Sequence, residues 1–326
     1  MQAQDPQLVR ETSAETPTLA PLLQPFSPMA LHVHRGAGAV VGRPVELQAI
    51  QHELGAARAG RLASLTVEGE PGIGKTRLLL AASELAIAAG FTTIAVTADE
   101  ELRGPFLLAR SILGSPEAVN AVVDTPGAEA LSRCLDSMSG QDDPGLATLA
   151  PDHRLLRTFD LGAVAIKALA ERAPLAVLID DLQWADDDSL RLVRYVVRAA
   201  ATSPIFLMGA IRPEELAFVT EAVNLLADME RLGLVRRLKL NRFAQGETKE
   251  LLEQVLGAKV NPASAAAMHA QAEGVPFIVE EMAQAYRDGG MIQQIDGVWS
   301  LARNADRLVP SAVRTLISRR AARLHE

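Results

Sequence analysis

Gly69-Glu70-Pro71-Gly72-Ile73-Gly74-Lys75-Thr76 is the stretch that decides the fold. It has the Walker A spacing: a glycine, four residues, then Gly-Lys-Thr. It lies between a strand-like run, Leu62 to Val67, and a helical run, Thr76 to Ala89, closed by Gly90. Glycines let the backbone curl until successive N–H groups converge on phosphate oxygens, and the helix N-terminus adds its partial positive charge. On this reading the loop, with Arg77 just beyond it, takes the phosphates of a nucleotide. Lys75 reaches the β- and γ-phosphates, and Thr76 is a ligand for Mg²⁺.

Working outward, Phe91 to Val96 reads as the next strand, so strand, loop, helix and strand form one parallel unit. The pattern then repeats. Leu155 to Arg172 and Ser189 to Ala201 have helical periods, while Leu175 to Ile179 and Ile205 to Ile211 are apolar enough to be strands covered on both faces. A doubly wound parallel α/β sheet is the fold expected. Upstream, Arg43 to Gly60 predicts a helix with Val45, Leu47, Ile50 and Leu54 near one stripe. Between Asp99 and His153, Gly, Pro and Ser break every period, and only short helices are assigned.

From Phe243 onward helix follows helix: Glu247 to Leu256, Pro262 to Glu273, Pro276 to Arg287 and Pro310 to Leu324. Asp296-Gly297, between two short strand-like runs, signals a hairpin. The divisions expected are a disordered tail over 1–39, a nucleotide-binding domain over 40–242, a smaller helical lid with its hairpin over 243–308, and a further segment over 309–326. The tail assignment rests on Pro6, Pro17, Pro21, Pro25 and Pro28, which leave no period intact.

Composition bounds the partners. With 48% hydrophobic and 22% charged residues the chain can bury a core, and 32 Lys plus Arg against 40 Asp plus Glu give a formal charge of −8. No long basic run advertises a nucleic-acid surface. Cys134, the one cysteine, lies among polar residues and fits a reducing compartment. No apolar run approaches the ~18 residues a bilayer span needs, and the acidic N-terminus is unlike a signal peptide. The expectation is a cytoplasmic protein without a membrane partner.

A phosphate loop that handles Mg²⁺ needs an acid to anchor the metal's waters, and Asp180-Asp181 ends the apolar strand from Leu175. Asp180 is placed at the magnesium site, and Asp181 near the γ-phosphate, where it orients or deprotonates the attacking water. Arg212 ends the strand from Ile205, where a ligand crevice is expected, and it could sense the γ-phosphate or pair with Glu214 or Glu215. Asp186 to Asp188 read as the start of a helix, and Trp184 as a packing residue. His32 and His34 have no Cys or acid beside them to complete a zinc site.

With these residues in hand, the chain resembles the ATPase module of the STAND class, specifically the large ATP-binding LuxR-type regulators related to MalT, and more broadly the Orc1-like AAA domains. Val41-Gly42-Arg43 looks like the family's opening motif, which lies by the adenine. GEPGIGKTRL from Gly69 and LIDDLQWAD from Leu178 look like its Walker elements, and Arg212 in AIRPEE looks like its sensor arginine. Glu273-Gly274-Val275-Pro276-Phe277 resembles the helical-domain signature in which Pro276 closes over the adenine. Val309 to Leu324 resembles the start of a winged helix. Pro44 departs from the acid usual at its position.

The resemblance implies a slow Mg-dependent ATPase in which ATP and ADP bias different arrangements of sheet domain and lid. An inducer or regulatory protein acts on that equilibrium, and self-association accompanies the ATP state. In this family DNA is contacted through a further C-terminal domain, which this chain does not contain. The alternative is an Orc1-like AAA ATPase that acts on nucleic acid as a loader or motor.

Overall fold

A computed structural model of the chain describes residues 40–102, 104–140, 150–216 and 219–302. The tail with His32 and His34, and the segment from Val309 read as the start of a winged helix, lie outside the described residues.

The elements in chain order are α1 (Pro44–Arg58), β1 (Ala63–Glu68), α2 (Lys75–Ala88), β2 (Thr92–Thr97), α3 (Leu107–Leu113), α4 (Pro116–Val122), α5 (Gly127–Met138) and α6 (Pro151–Arg172). They continue with β3 (Leu175–Asp180), a 3-10 turn (Leu182–Trp184), α7 (Asp187–Ala199), β4 (Ile205–Ile211), α8 (Pro213–Leu216), α9 (Thr220–Arg231) and β5 (Val235–Lys239). The last group is α10 (Gln245–Leu256), β6 (Lys259–Val260), α11 (Pro262–Ala272), α12 (Pro276–Asp288), β7 (Ile292–Ile295) and β8 (Val298–Leu301).

The five long strands form one parallel sheet in the order β2-β3-β4-β1-β5. Strand side chains alternate between faces, so β3 serves both sides at once. Leu175, Val177 and Ile179 enter a core with α3 to α7, and Ala176 and Leu178 enter a second core with α1 and α2. β3 is buried along its whole length. That explains why its sequence is unbroken apolar rather than alternating. The doubly wound α/β architecture is therefore present.

This order positions the chemistry. β3, β4 and β1 are neighbours, and strands in a sheet lie ~4.8 Å apart. The segments that leave their carboxyl ends, Asp180-Asp181, Arg212 and the Gly69–Thr76 loop, must therefore sit side by side, with Arg212 in the middle. A crevice at the carboxyl ends of such strands is where this class of sheet takes ligands.

The second unit packs α10, α11 and α12 around Leu251, Leu252, Met268, Val279, Met282 and Tyr286. β7 and β8 pair antiparallel across Asp296-Gly297, both at positive φ (50° and 78°), and β6 adds to β8 in parallel. Val41, which precedes α1 in the chain, is buried in this second core and not in the sheet's.

Two sequence expectations need correcting. Val45 is 67% exposed, because the inward stripe of α1 runs through Ala49, Ile50, Leu54 and Ala57. Cys134 has polar sequence neighbours, but it shares the inward face of α5 with Leu131 and Met138 and is fully buried. Burial pushes its thiol up to about 12. In the stretch that resisted reading, the folding signals are partly distant in sequence. Asp186 caps α7 through Ser189 N (2.9 Å) and also accepts from Phe106 N (2.9 Å) and Leu108 N (3.1 Å), fixing the start of α3 from some eighty residues away.

Candidate functional site

The Gly69–Thr76 loop turns through Gly72 (φ 76°) and Gly74 (φ 100°), left-handed conformations that residues with a Cβ adopt at a cost. Ile73 plugs the loop into the core below it at 1% exposure, close enough to Gly69 that a Cβ there would meet Ile73 Cγ2 at 2.8 Å. Pro71 is exposed at the loop's tip. Lys75 begins α2 and is only 7% exposed, and its Nζ donates to Gly69 O (2.7 Å) and Glu70 O (3.1 Å). Burial, and then the charge of Arg212, lower the affinity of Lys75 for its proton, with Asp181 and Asp180 opposing.

Thr76 Oγ1 lies 2.5 Å from Asp180 Oδ2, so the loop's hydroxyl and the strand's carboxylate already meet. Burial first, and then the charge of Asp181, raise the pKa of Asp180. A hydroxyl oxygen and a carboxyl oxygen side by side are hard donors of the kind a divalent cation takes, and its charge would favour the ionised carboxylate. Thr76 and Asp180 are thus the residues that could hold Mg²⁺. Among the described residues no cluster of three or more His, Cys, Asp and Glu offers another metal site.

Asp181 stands at φ 49°, a left-handed residue between the end of β3 and the Leu182–Trp184 turn. Its Oδ1 accepts from Gln183 Nε2 at 2.9 Å and lies 3.4 Å from Arg212 Nε. Arg212 is 7% exposed. It pairs with Glu215 (3.0 Å) and rests its guanidinium over the Trp184 ring at 4.6 Å, while its Nε makes no hydrogen bond. Both sequence readings of Arg212 therefore meet in one place, since it has the acid partner yet is buried at the crevice. Trp184 does more than pack, because its face carries the arginine's charge.

The second unit reaches the same loop. Phe277 N donates to Gly72 O (3.1 Å), Arg77 pairs with Glu280 of α12 (3.0 Å), and Pro276 opens α12 between Val275 and Phe277, the two residues that lie against Gly72. Arg242, between the two units, holds both oxygens of Glu70 (2.6 and 2.8 Å) and reaches Glu273 (2.6 Å). The opening motif lies on this seam as well. Arg43 is 6% exposed and donates to Ile73 O (3.2 Å) in the loop and Asn241 O (2.8 Å) beyond β5, with its guanidinium 4.8 Å from the Phe243 ring centre. Gly42 (φ 65°) sits against Glu247 of α10, where a Cβ would come within 2.9 Å. Pro44 fills the first position of α1, which suits a residue with fixed φ and no N–H.

The structure thus gathers Lys75, Thr76, Asp180, Asp181 and Arg212 at the ends of β1, β3 and β4. Val41, Gly42, Arg43 and Pro276 lie where the second unit meets the loop. Sequence reasoning missed Gln183 and Arg242. Gln183 lies inside the LIDDLQWAD motif, but its residue type had no reading there. The ion partners of Arg242 lie 172 and 31 positions away, so no local pattern marks it.

The chain is similar to several known proteins. The sequence profile of the AAA ATPase domain matches residues 39–208, just over half of the chain. An uncharacterised protein of Rhizobium meliloti (strain 1021) is 25% identical over 280 residues, covering 77% of this chain and 25% of that protein. Among solved structures, a signal transduction ATPase with numerous domains (STAND) and a tetratricopeptide repeat sensor, from Pyrococcus horikoshii, is 16% identical. The match covers 75% of this chain and 30% of that one, with a TM-score of 0.45. RuvB of Thermotoga maritima is 15% identical, with 76% and 62% covered and a TM-score of 0.43. The chain spans about a quarter of the length of the curated relative it matches.

Proposed function

Because the chain belongs to the AAA ATPase domain family, we propose that it is a Mg-dependent, slow ATPase that works as the nucleotide-operated switch of a LuxR-type transcriptional regulator of the STAND class. The observation that supports a switch is the seating of α12 on the phosphate loop itself, through Phe277 N and Gly72 O. A loop that wraps phosphate and also carries the lid cannot change shape without disturbing the lid.

In this reading Lys75 exchanges its loop carbonyls for the β- and γ-phosphates, and the loop amides hold the remaining oxygens. Thr76 and Asp180 hold Mg²⁺, which when bound supplies neutralising charge to those phosphates. Asp181 aligns a water for in-line attack and takes its proton as the bond to the leaving ADP oxygen breaks. Arg212, whose Nε makes no hydrogen bond, exchanges its pairing with Asp181 and Glu215 for the γ-phosphate. ADP has no such phosphate to offer it. Driving a two-state equilibrium from 1:99 to 99:1 takes ~5.5 kcal/mol of differential binding, more than one ion pair supplies, so Lys75 and the metal share the task or the inducer contributes.

The test is limited proteolysis of the full-length protein with Mg²⁺ and either ADP or a non-hydrolysable ATP analogue. Cleavage between Phe243 and Glu273 is expected to differ between the two nucleotides, and Arg212→Ala is expected to abolish the difference while nucleotide still binds. Identical digestion patterns in the parent protein would end the switch reading. Turnover that depends on added DNA would favour a loader or motor instead.

A further inference from the structure

The Leu182–Trp184 turn is keyed to β4 residue by residue. Leu182 Cδ2 lies against Gly209, where a Cβ would meet it at 3.0 Å. Gln183 Oε1 accepts from Arg212 N at 3.2 Å, and the Trp184 ring lies under the Arg212 guanidinium. The turn closes on itself through Trp184 N and Asp181 O (2.8 Å). It therefore joins the end of β3, where Asp181 sits, to the end of β4, where Arg212 begins.

The amide of Gln183 completes that joint. The main-chain N–H of Arg212 can only donate, so the oxygen of the amide must face it. The nitrogen must then face Asp181, whose carboxylate can only accept. Both bonds form, at 3.2 and 2.9 Å, on a side chain that is 2% exposed. Few residue types satisfy one obligate donor and one obligate acceptor at this reach, and glutamate and methionine are not among them. The contacts of Asp181 with Gln183 and Arg212 both fall on Oδ1, and Oδ2 is thereby left without a hydrogen bond from the described residues.

We propose that Gln183 is the positioning residue for Asp181: its amide pins Oδ1 to the end of β4, leaves Oδ2 as the proton-accepting atom, and makes any shift of Arg212 felt at the carboxylate. This rests on the ATPase reading above and adds to it a residue that touches neither nucleotide nor metal. Hydrogen-bond partners that orient metal ligands typically contribute about 10–100-fold to activity, and an effect of about that size is expected for a partner that orients the proton acceptor.

The test compares the full chain with Gln183→Met, which keeps the volume and loses both bonds, and Gln183→Glu, which keeps an acceptor for Arg212 N but has no proton for Asp181. ADP affinity and melting temperature confirm that each variant folds and binds. The expected result is a kcat lower by about 10–100-fold with KM for ATP within about twofold of the parent. Adding Gln183→Met to Asp181→Asn should lower kcat by less than about twofold further, because the residue acts through a carboxylate already removed. If either folded variant keeps the parent kcat, or if the two losses simply add, Gln183 is a packing residue and the proposal is overturned. A parent chain that binds ATP and never turns it over would instead refute the ATPase reading, and this proposal with it.

Discussion

Arg43→Met is the perturbation whose size the structure lets us work out most fully. The guanidinium spans the loop and the start of the second unit, donating to Ile73 O and Asn241 O. Methionine keeps the apolar stem but is shorter and has no donor, so it leaves both carbonyls unpaired in a site where the side chain is 7% exposed. A hydrogen bond from a charged group contributes ~1.5–3 kcal/mol, and the stacking on Phe243 adds ~0.5–1 kcal/mol. Against this stands the cost of burying the charge. Burial holds the Arg43 pKa below its ordinary value, with Glu46 and Glu247 opposing. Removing the charge returns a large part of the gross loss and leaves a net destabilisation of about 2–4 kcal/mol. For a unit of this size that is a drop in Tm of about 5–15 °C. Differential scanning calorimetry with and without ADP measures it, and Arg43→Lys, which can reach one carbonyl at a time, should fall between parent and Met. A Met variant that melts within about 1 °C of the parent and binds ADP equally well would show that Arg43 joins nothing.

Lys75→Ala is expected to abolish tight ATP binding and raise the barrier of the chemical step by ~3 kcal/mol or more, and calorimetric titration with unchanged affinity would contradict it. Gly274→Ala should destabilise by about 2–5 kcal/mol, combining a left-handed residue with a forced overlap. Its φ is 73° and a Cβ would stand 2.4 Å from Phe243 O, a backbone atom with its own hydrogen bonding to satisfy. Gly290→Ala is the control, at φ 65° with nothing within 4 Å. Equal denaturation midpoints for the two would dismiss the steric argument. Burial, opposed by Arg77, raises the pKa of Glu280, so its folded pKa lies above its unfolded one. Its contribution to stability is then greatest below the unfolded pKa and is lost as pH rises through the folded value. Glu280→Gln should flatten that slope in denaturation series, and a parent-minus-variant difference that grows with pH would reverse the sign of the argument.

The parts of the fold and site that were legible in the sequence are those with local causes. The glycine spacing before Lys75, the apolar run into Asp180 and the run into Arg212 each announce themselves within about ten residues, and parallel pairing then brings them together. Asp296-Gly297 forms its hairpin for equally local reasons. What resisted reading depends on partners far along the chain. The start of α3 is held by Asp186, Arg242 joins Glu70 to Glu273, and Val41 crosses into the core of the second unit. Gln183 was hidden differently: it stood within the motif, but its role appears only once β4 lies beside it.

The bond between Phe277 N and Gly72 O has a consequence for whatever acts on the second unit. Binding free energies are reciprocal, so the factor by which an occupied loop changes the seating of α12 is the factor by which a partner gripping α12 changes the hold on nucleotide. An effector that lifts α12 need never approach the phosphates to change the affinity for nucleotide. One that presses α12 down would change the affinity for nucleotide in the opposite sense, by the same linkage.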